Sequence, residues 1–237
     1  MSGGAPAPSR SVRVGVAVPA AGSGTRMGGV RKAFLELAGE PVLLHALRPL
    51  LAETRVVHVV VALAGEEAGG APEWLLDHDS RLSVVAGGAT RTQSVRAAIA
   101  ALPSDLDAIA VHDAARPLVT TDVVSSCIEL ALAGFGAVAG CPAVDTMKHV
   151  DPDGSVLDTP DRSRLWHAQT PQVFPAPVLR AAYADPAAEG TDDAALVERA
   201  DPSVVIRMVD AGPSNLKVTR PLDVLLAEAI LRDRRGA

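Results

Sequence analysis

The chain has 237 residues, enough for one sizeable α/β domain and short for two. Its 28 acidic against 22 basic residues leave a formal charge of -6, which argues against a general nucleic-acid binder, and six aromatics (two Trp, one Tyr, three Phe) offer little for base stacking. No uninterrupted apolar run is long enough to span a bilayer, so neither nucleic acid nor membrane is expected as a partner.

Residues 1–11 open with MSGGAPAPSR, small, polar and rich in Pro and Gly without a signal-peptide core, and read as a disordered tail before a single domain over 12–237. From Val14 a valine-rich run bounded by Pro19 reads as a buried strand. A turn rich in glycine follows, Ala20-Ala21-Gly22-Ser23-Gly24-Thr25, and then three cations, Arg26, Arg31 and Lys32. Glycines let backbone approach a ligand, successive N–H groups make an anion-holding concavity, and the cations suit a polyphosphate. The dinucleotide fingerprint is excluded because Met27 stands where its third glycine belongs, and no lysine follows a glycine as a P-loop requires.

Further on, Pro41 to Ala52 reads as a helix with one leucine face, and Val56 to Leu63 as a second buried strand in which His58 is a satisfied histidine rather than a ligand. Ala64 to Pro72 reads as a loop, with a short helical piece at Trp74 to Leu76. A third strand spans Leu82 to Val85, a helix Thr92 to Leu102, a fourth strand Ala108 to Val111, and a helix Thr121 to Ala133 with Gly134 in the C′ position. Phe135 to Cys141 is a fifth strand.

At residues 142–165 the rhythm breaks. Turn residues, charges and alternating apolar positions (Val144, Met147, Val150, Val156, Leu157) predict an extended arm or hairpin. Helices near Pro177 to Tyr183 and Thr191 to Arg199, a strand at Val204 to Val209 and a helix at Pro221 to Leu231 complete the chain. Strands alternating with helices imply a Rossmann-like, mainly parallel sheet covered on both faces, with the ligand crevice beyond the strands' carboxyl ends.

Cys127 and Cys141 have no CxxC partner and read as buried, reduced thiols of a cytoplasmic protein, and the six histidines show no metal-ligand spacing, so no protein metal site is expected. Only three of the 22 cationic residues are lysines, Lys32, Lys148 and Lys217. Polar residues follow the strands in turn: Gly22, Gly24, Arg26 and Lys32; Gly87, Gly88, Arg91 and Ser94; Asp113 and Arg116; Asp145, Thr146 and Lys148; Asn215 and Lys217. Five such placements at one rim predict a ligand with several phosphates.

The ordered motifs PAAGSGTRM, GGATRTQSV, HDAARP, DTMK, LWHAQTPQ, TDDA and NLKVTRP resemble the 2-C-methyl-D-erythritol 4-phosphate cytidylyltransferase family, from about Val12 to Leu231. The resemblance implies transfer of CMP from CTP to a sugar-alcohol phosphate with release of pyrophosphate. It also implies Mg²⁺ held mainly by the nucleotide phosphates. The arm, too small for a core of its own, predicts a homodimer joined through it. It makes Arg26, Lys32 and Lys217 the catalytic cations, and has Pro19, Ala20, Ala21, Gly22 and Gly24 cradle the triphosphate. Gly88 and Ser94 would read cytosine and Asp113 would bind the ribose and metal-phosphate region. Arg116, Thr146, Arg162, Thr170 and Thr191 would hold the acceptor phosphate. Two departures stand out: Arg31 precedes Lys32 in a compact loop and could substitute for it, and Thr191-Asp192-Asp193 replaces the family's Thr-Asp-Glu. Lys148 reads as structural. Ribitol-5-phosphate cytidylyltransferases share much of the pattern, and a silent nucleotide-binding regulator is the reading from another class.

Overall fold

A computed structural model describes residues 10–22 and 32–236. Gly24, Arg26 and Arg31, and with them most of the phosphate loop, lie outside the described residues, as does the side chain of Lys32. Arg10 already grips the domain, donating to the Asp105 carbonyl at 3.0 Å and pairing with Asp107, so the boundary expected after residue 11 falls inside this contact.

The first strand, β1 (Val14–Pro19), leads past a 3-10 turn at Lys32–Phe34 into a small hairpin, β2 (Glu36–Leu37) and β3 (Glu40–Pro41), which the sequence reading omitted. Helix α1 (Val42–Ala52) and strand β4 (Val56–Leu63) follow where periodicity puts them. The expected loop at 64–72 contains a one-turn helix, α2 (Gly65–Gly69), ahead of α3 (Glu73–Leu76). Strand β5 (Leu82–Ala86), helix α4 (Arg91–Ala101), strand β6 (Ala108–Val111), helix α5 (Thr121–Leu132) and strand β7 (Gly136–Pro142) repeat the alternation. Gly134 ends α5 at φ +90°, a conformation that glycine adopts without a Cβ penalty.

The expected arm is a short hairpin, β8 (His149–Val150) with β9 (Val156–Asp158), whose turn holds Gly154. Lys148 Nζ donates to Thr159 Oγ1 at 2.7 Å and ties its two legs together, the structural role expected of it. After a 3-10 turn at Arg162–Arg164 comes a ten-residue strand the sequence concealed, β10 (Trp166–Pro175). Helices α6 (Ala176–Ala182) and α7 (Asp193–Ala200), strand β11 (Ile206–Asp210) and helix α8 (Pro221–Gly236) complete the chain.

Seven strands form one sheet in the order β11-β7-β10-β6-β1-β4-β5. All neighbours are parallel except β10, which runs antiparallel to both β6 and β7. The alternation of side chains along each strand divides the core into two layers. Val14, Val16 and Val18 of β1 and Val59, Val61 and Leu63 of β4 meet α1 and α5 through Leu43, Leu47, Val124 and Ile128. On the opposite face Ala17, Val60, Ala62, Ile109 and Val111 meet Val95, Ala98 and Ile99 of α4 and Leu179 of α6. Being buried on both faces is why these strands read as continuous apolar runs.

Glu53, just beyond α1, is buried in this core with its carboxylate held by Arg55 Nε at 2.8 Å and Nη2 at 2.7 Å, and by the Ser125 hydroxyl. Hydrogen bonds from Arg55 outweigh the opposing effect of burial and, with Ser125, bring its pKa down to about 2. A depressed carboxylate stabilises the fold fully above the unfolded value of 4.5 and loses that contribution as pH falls from 4.5 towards 2. Glu53→Gln should therefore cost about 1–3 kcal/mol at pH 7. Melting curves of the two proteins should converge as the pH approaches 2. A constant gap across pH 2–7 would mean that the charge of Glu53 contributes nothing.

Candidate active site

The carboxyl ends of β1, β4, β5 and β6 lie on one edge of the sheet, as parallel pairing demands. A cleft of about 320 Å³ opens there, lined by residues 19–22, Ala33, residues 88–91, Ser94, residues 113–115 and Lys217. It therefore gathers Pro19, Ala20, Ala21, Gly22, Gly88, Ser94, Asp113 and Lys217, eight residues expected at the nucleotide site. Of the five strand-end groups expected at one rim, the cleft holds members of four (Gly22; Gly88, Arg91 and Ser94; Asp113; Lys217), whereas Asp145, Thr146 and Lys148 do not line it.

One wall is built by the turn between β5 and α4. Thr90 caps α4 by accepting from Gln93 N at 3.1 Å, and Gln93 Oε1 accepts in return from Ala89 N at 2.9 Å. The glycines at 87 and 88 are required by crowding. A Cβ on Gly87 would lie 2.7 Å from Ala21 Cβ and 2.8 Å from Ser94 Oγ, and one on Gly88 would lie 2.3 Å from Gln93 Cβ. Ser94 Oγ accepts from Gly88 N at 3.1 Å and donates to Thr90 O at 3.0 Å. Its hydroxyl thus shapes the loop while Ser94 lines the cleft.

The floor is electrostatic. Asp113, at the end of β6, is 7 % exposed and shares its two oxygens among three cations. Oδ1 accepts from Arg91 Nε at 3.0 Å, Oδ2 from Lys217 Nζ at 2.8 Å, and Arg116 Nε stands 3.7 Å from Oδ2. Burial alone would push this carboxyl up, but the charges of Arg91, Lys217 and Arg116 outweigh it and hold the group well below the usual carboxylate range. Arg91 continues inward to Asp193, the first residue of α7, with Nη1–Oδ1 at 3.1 Å and Nη2–Oδ2 at 2.8 Å. Asp193 is fully buried and also accepts from the Tyr183 hydroxyl. Three positive side chains against two carboxylates leave the floor with a surplus positive charge, the sign an anionic ligand needs.

Behind Asp113 lies a set of polar residues from β10. Thr170, expected on the acceptor phosphate, is 3 % exposed, and its Oγ1 sits 3.0 Å from Asp113 N and 3.1 Å from His112 Nδ1. His112 Nε2 faces the Arg116 carbonyl at 3.1 Å and must donate to it, so Nδ1 is the acceptor and Thr170 donates to that nitrogen. Burial brings the His112 pKa down to about 4, which keeps this neutral tautomer. Thr170 thus holds the Asp113 backbone from behind the cleft. Arg116 reaches the same set, donating from Nη1 to the Asn215 carbonyl at 2.8 Å, and Asn215 Nδ2 donates to Gln169 Oε1 and Thr170 O.

The other expected acceptor residues are not brought to the cleft. Thr191 is exposed and lines a separate, open depression with Glu189, Gly190, Ala195, Glu198 and Arg199. Thr146 and Arg162 are exposed on the arm, where Arg162 Nη1 donates to the Val144 carbonyl at 2.6 Å. Cys127 is buried as expected, which pushes its thiol up to about 12, whereas Cys141 is only partly buried and accepts weakly from Gln169 Nε2 at 3.6 Å. His58 is satisfied by Ser83 Oγ at 2.9 Å. Of the floor residues, Asp193 was not expected at the site, and Arg91 was expected at the ligand rim without a role. The signal available for them was their place in GGATRTQSV and TDDA, beside residues that were chosen.

A family-wide sequence profile described as 2-C-methyl-D-erythritol 4-phosphate cytidylyltransferase matches residues 14–233. The chain belongs to this family. A relative of that name from Symbiobacterium thermophilum is 46 % identical over 227 residues, covering 94 % of each chain. The crystal structure of a 4-diphosphocytidyl-2C-methyl-D-erythritol synthase from Anaerococcus prevotii superimposes with a TM-score of 0.83 at 25 % identity, over 94 % of this chain and 97 % of that one. The cytidylyltransferase structure from Thermus thermophilus gives 0.75 at 30 % identity, over 94 % and 100 %. Family membership thus extends over the whole sheet and both layers of helices, and makes the chain a nucleotidyltransferase.

Proposed function

We propose that the chain transfers CMP from CTP to 2-C-methyl-D-erythritol 4-phosphate, releasing pyrophosphate and forming CDP-methylerythritol for isoprenoid synthesis. The observation that carries this reading is the cation-bound Asp113 carboxylate with Lys217 at the mouth of a cleft walled by glycines. The acceptor is a phosphate monoester, whose second pKa near 6 leaves it largely dianionic at neutral pH without a protein base. One of its oxygens attacks the α-phosphorus of CTP, and the bond to the β-phosphate oxygen breaks with its electron pair leaving on pyrophosphate. The protein is asked for in-line positioning and for neutralisation of charge at the α-phosphate. Lys217, Arg26 and Lys32 are the cations assigned to that task.

Asp113 is the one carboxylate lining the cleft among the described residues, and cations already occupy both its oxygens. This donor set fits a magnesium ion that would be held by the nucleotide phosphates and water rather than by a protein carboxylate, with Asp113 committed to its cations. When bound, the ion supplies charge neutralisation on the phosphates.

The active form is taken to be a homodimer built through the arm. Val144, Val156 and Leu157 are 77 %, 59 % and 59 % exposed there, and a two-stranded hairpin has no core of its own. No helix among the described residues is long and apolar enough to cross a membrane. The cytoplasm, where Cys127 and Cys141 would stay reduced, is the compartment this reading assigns.

Pyrophosphate release measured with ATP, GTP, CTP and UTP against methylerythritol phosphate and ribitol 5-phosphate tests the assignment. CTP with methylerythritol phosphate should give the highest kcat/KM of all the pairings. Equal release from ATP or GTP would overturn the nucleotide choice, and a preference for ribitol 5-phosphate would overturn the acceptor.

A further inference from the structure

Arg91 is the part of the floor that no role yet explains. It lines the cleft, yet three of its N–H groups are engaged by carboxylates, Nε by Asp113 Oδ1 and Nη1 and Nη2 by Asp193. We propose that Arg91 is a positioning residue for nucleotidyl transfer, whose guanidinium, anchored on buried Asp193, fixes the Asp113 carboxylate and frees Lys217 to serve the phosphates. The proposal rests on the activity given above and deepens it.

The argument starts from a conflict in the ligand-free site. Lys217 Nζ is paired with Asp113 Oδ2 at 2.8 Å, and a lysine that binds a phosphate must give up part of that pairing. Leaving a buried carboxylate without a partner is strongly unfavourable. Arg91 removes the conflict, because it holds the other oxygen of Asp113 whichever way Lys217 turns. A guanidinium does this where an ammonium could not, since its planar fork offers donors in two directions, one towards each carboxylate. Its anchor is rigid as well. Asp193 opens α7, Tyr183 donates to its Oδ1, and the neighbouring Asp192 caps the helix by accepting from Ala195 N at 2.9 Å. Thr191 immediately precedes this cap, so one guanidinium joins the nucleotide cleft to the segment expected to hold the acceptor.

The competing account is that Arg91 merely braces α4 against α7. The two accounts differ in whether the effect of Arg91 passes through Asp113. Arg91→Lys keeps the charge but cannot span both carboxylates, and should lower kcat about 10- to 100-fold while the KM values for CTP and acceptor stay within about threefold. In an Asp113→Asn background the same change should cost less than about threefold. Asp193→Asn, outside the cleft and isosteric, should reproduce the pattern more weakly and keeps the test open if the lysine variant folds poorly. An equal loss in both backgrounds, or a loss below threefold in the native one, overturns the proposal.

A readout without turnover separates this from failure of the proposed reaction. Followed by the NMR shift of its side-chain carboxyl carbon, Asp113 should titrate at least about one pH unit higher in Arg91→Lys than in the native chain. An unchanged titration overturns the proposal even if the native chain transfers CMP. A shifted titration in a chain that does not turn over CTP supports the positioning of Asp113 and rejects the reaction.

Discussion

Replacing Lys217 by alanine should lower kcat about 100- to 1,000-fold, the loss that follows removal of one preorganised donor facing developing charge. The KM for CTP should change far less, because the contribution of Lys217 is realised mainly as the α-phosphorus becomes five-coordinate. The fold should survive. Lys217 is 39 % exposed on its side chain, and without it Asp113 keeps Arg91 at 3.0 Å and Arg116 nearby. An ion pair of that exposure is worth about 1 kcal/mol or less, so the melting temperature should move by no more than about 4 °C. Lys217→Arg should restore little, since a planar fork cannot replace a compact point charge between Asp113 and a phosphate. Steady-state kinetics with pyrophosphate detection separates the cases. A near-native kcat in Lys217→Ala would make the residue a partner of Asp113 and nothing more.

The alternating half of the chain was legible because its physics is local. Strands buried on both faces are valine runs, α4 and α5 begin at Thr90 and Thr120 caps, and Gly134 marks the end of α5. Strand β10 was not legible for the opposite reason. Its segment WHAQTPQVFP carries two prolines and three buried polar side chains, each satisfied from elsewhere in the chain. Gln172 Nε2 donates to Asp192 Oδ2 at 3.0 Å while its Oε1 accepts from Ala194 N, and Gln169 accepts from Asn215. Pro171 falls where the register with β7 shifts, and Pro175 at the strand's end, the places where a missing N–H does least harm. The floor of the cleft divides in the same way. Asp113 and Lys217 could be chosen from their motifs, but the contact between Arg91 and Asp193 joins residues 102 apart and has no local pattern. Nor could spacing reveal that the hydroxyls of Thr170 and Ser94 are committed to His112 and to the loop backbone.

Mixing two impaired proteins should restore activity, assayed with acceptor near its native KM, if the active site is shared between two chains. Thr146 and Arg162 are exposed on the arm and do not line their own chain's cleft, whereas Lys217 does. An arm with exposed Val144, Val156 and Leu157 needs a surface to cover it, and a two-fold partner is the commonest one. Such an arm would carry Arg162 to the neighbour's cleft. The alternative is that Arg162 serves its own chain by a movement of the arm. Lys217→Ala and Arg162→Ala chains, combined under conditions that exchange subunits, distinguish the two. If Arg162 acts in the neighbour, each mixed dimer has one site with both defects and one with neither. Random exchange makes half of the dimers mixed, so about one quarter of all sites should work at the native rate. If Arg162 acts in its own chain, every site keeps one defect and mixing restores nothing. The Arg162 truncation alone should raise the KM for the acceptor while leaving that for CTP near native, because the guanidinium is assigned to the acceptor phosphate. Subunit exchange is checked independently by mass tagging one chain. Exchange without recovery would rule out the shared site and return Arg162 to its own protomer.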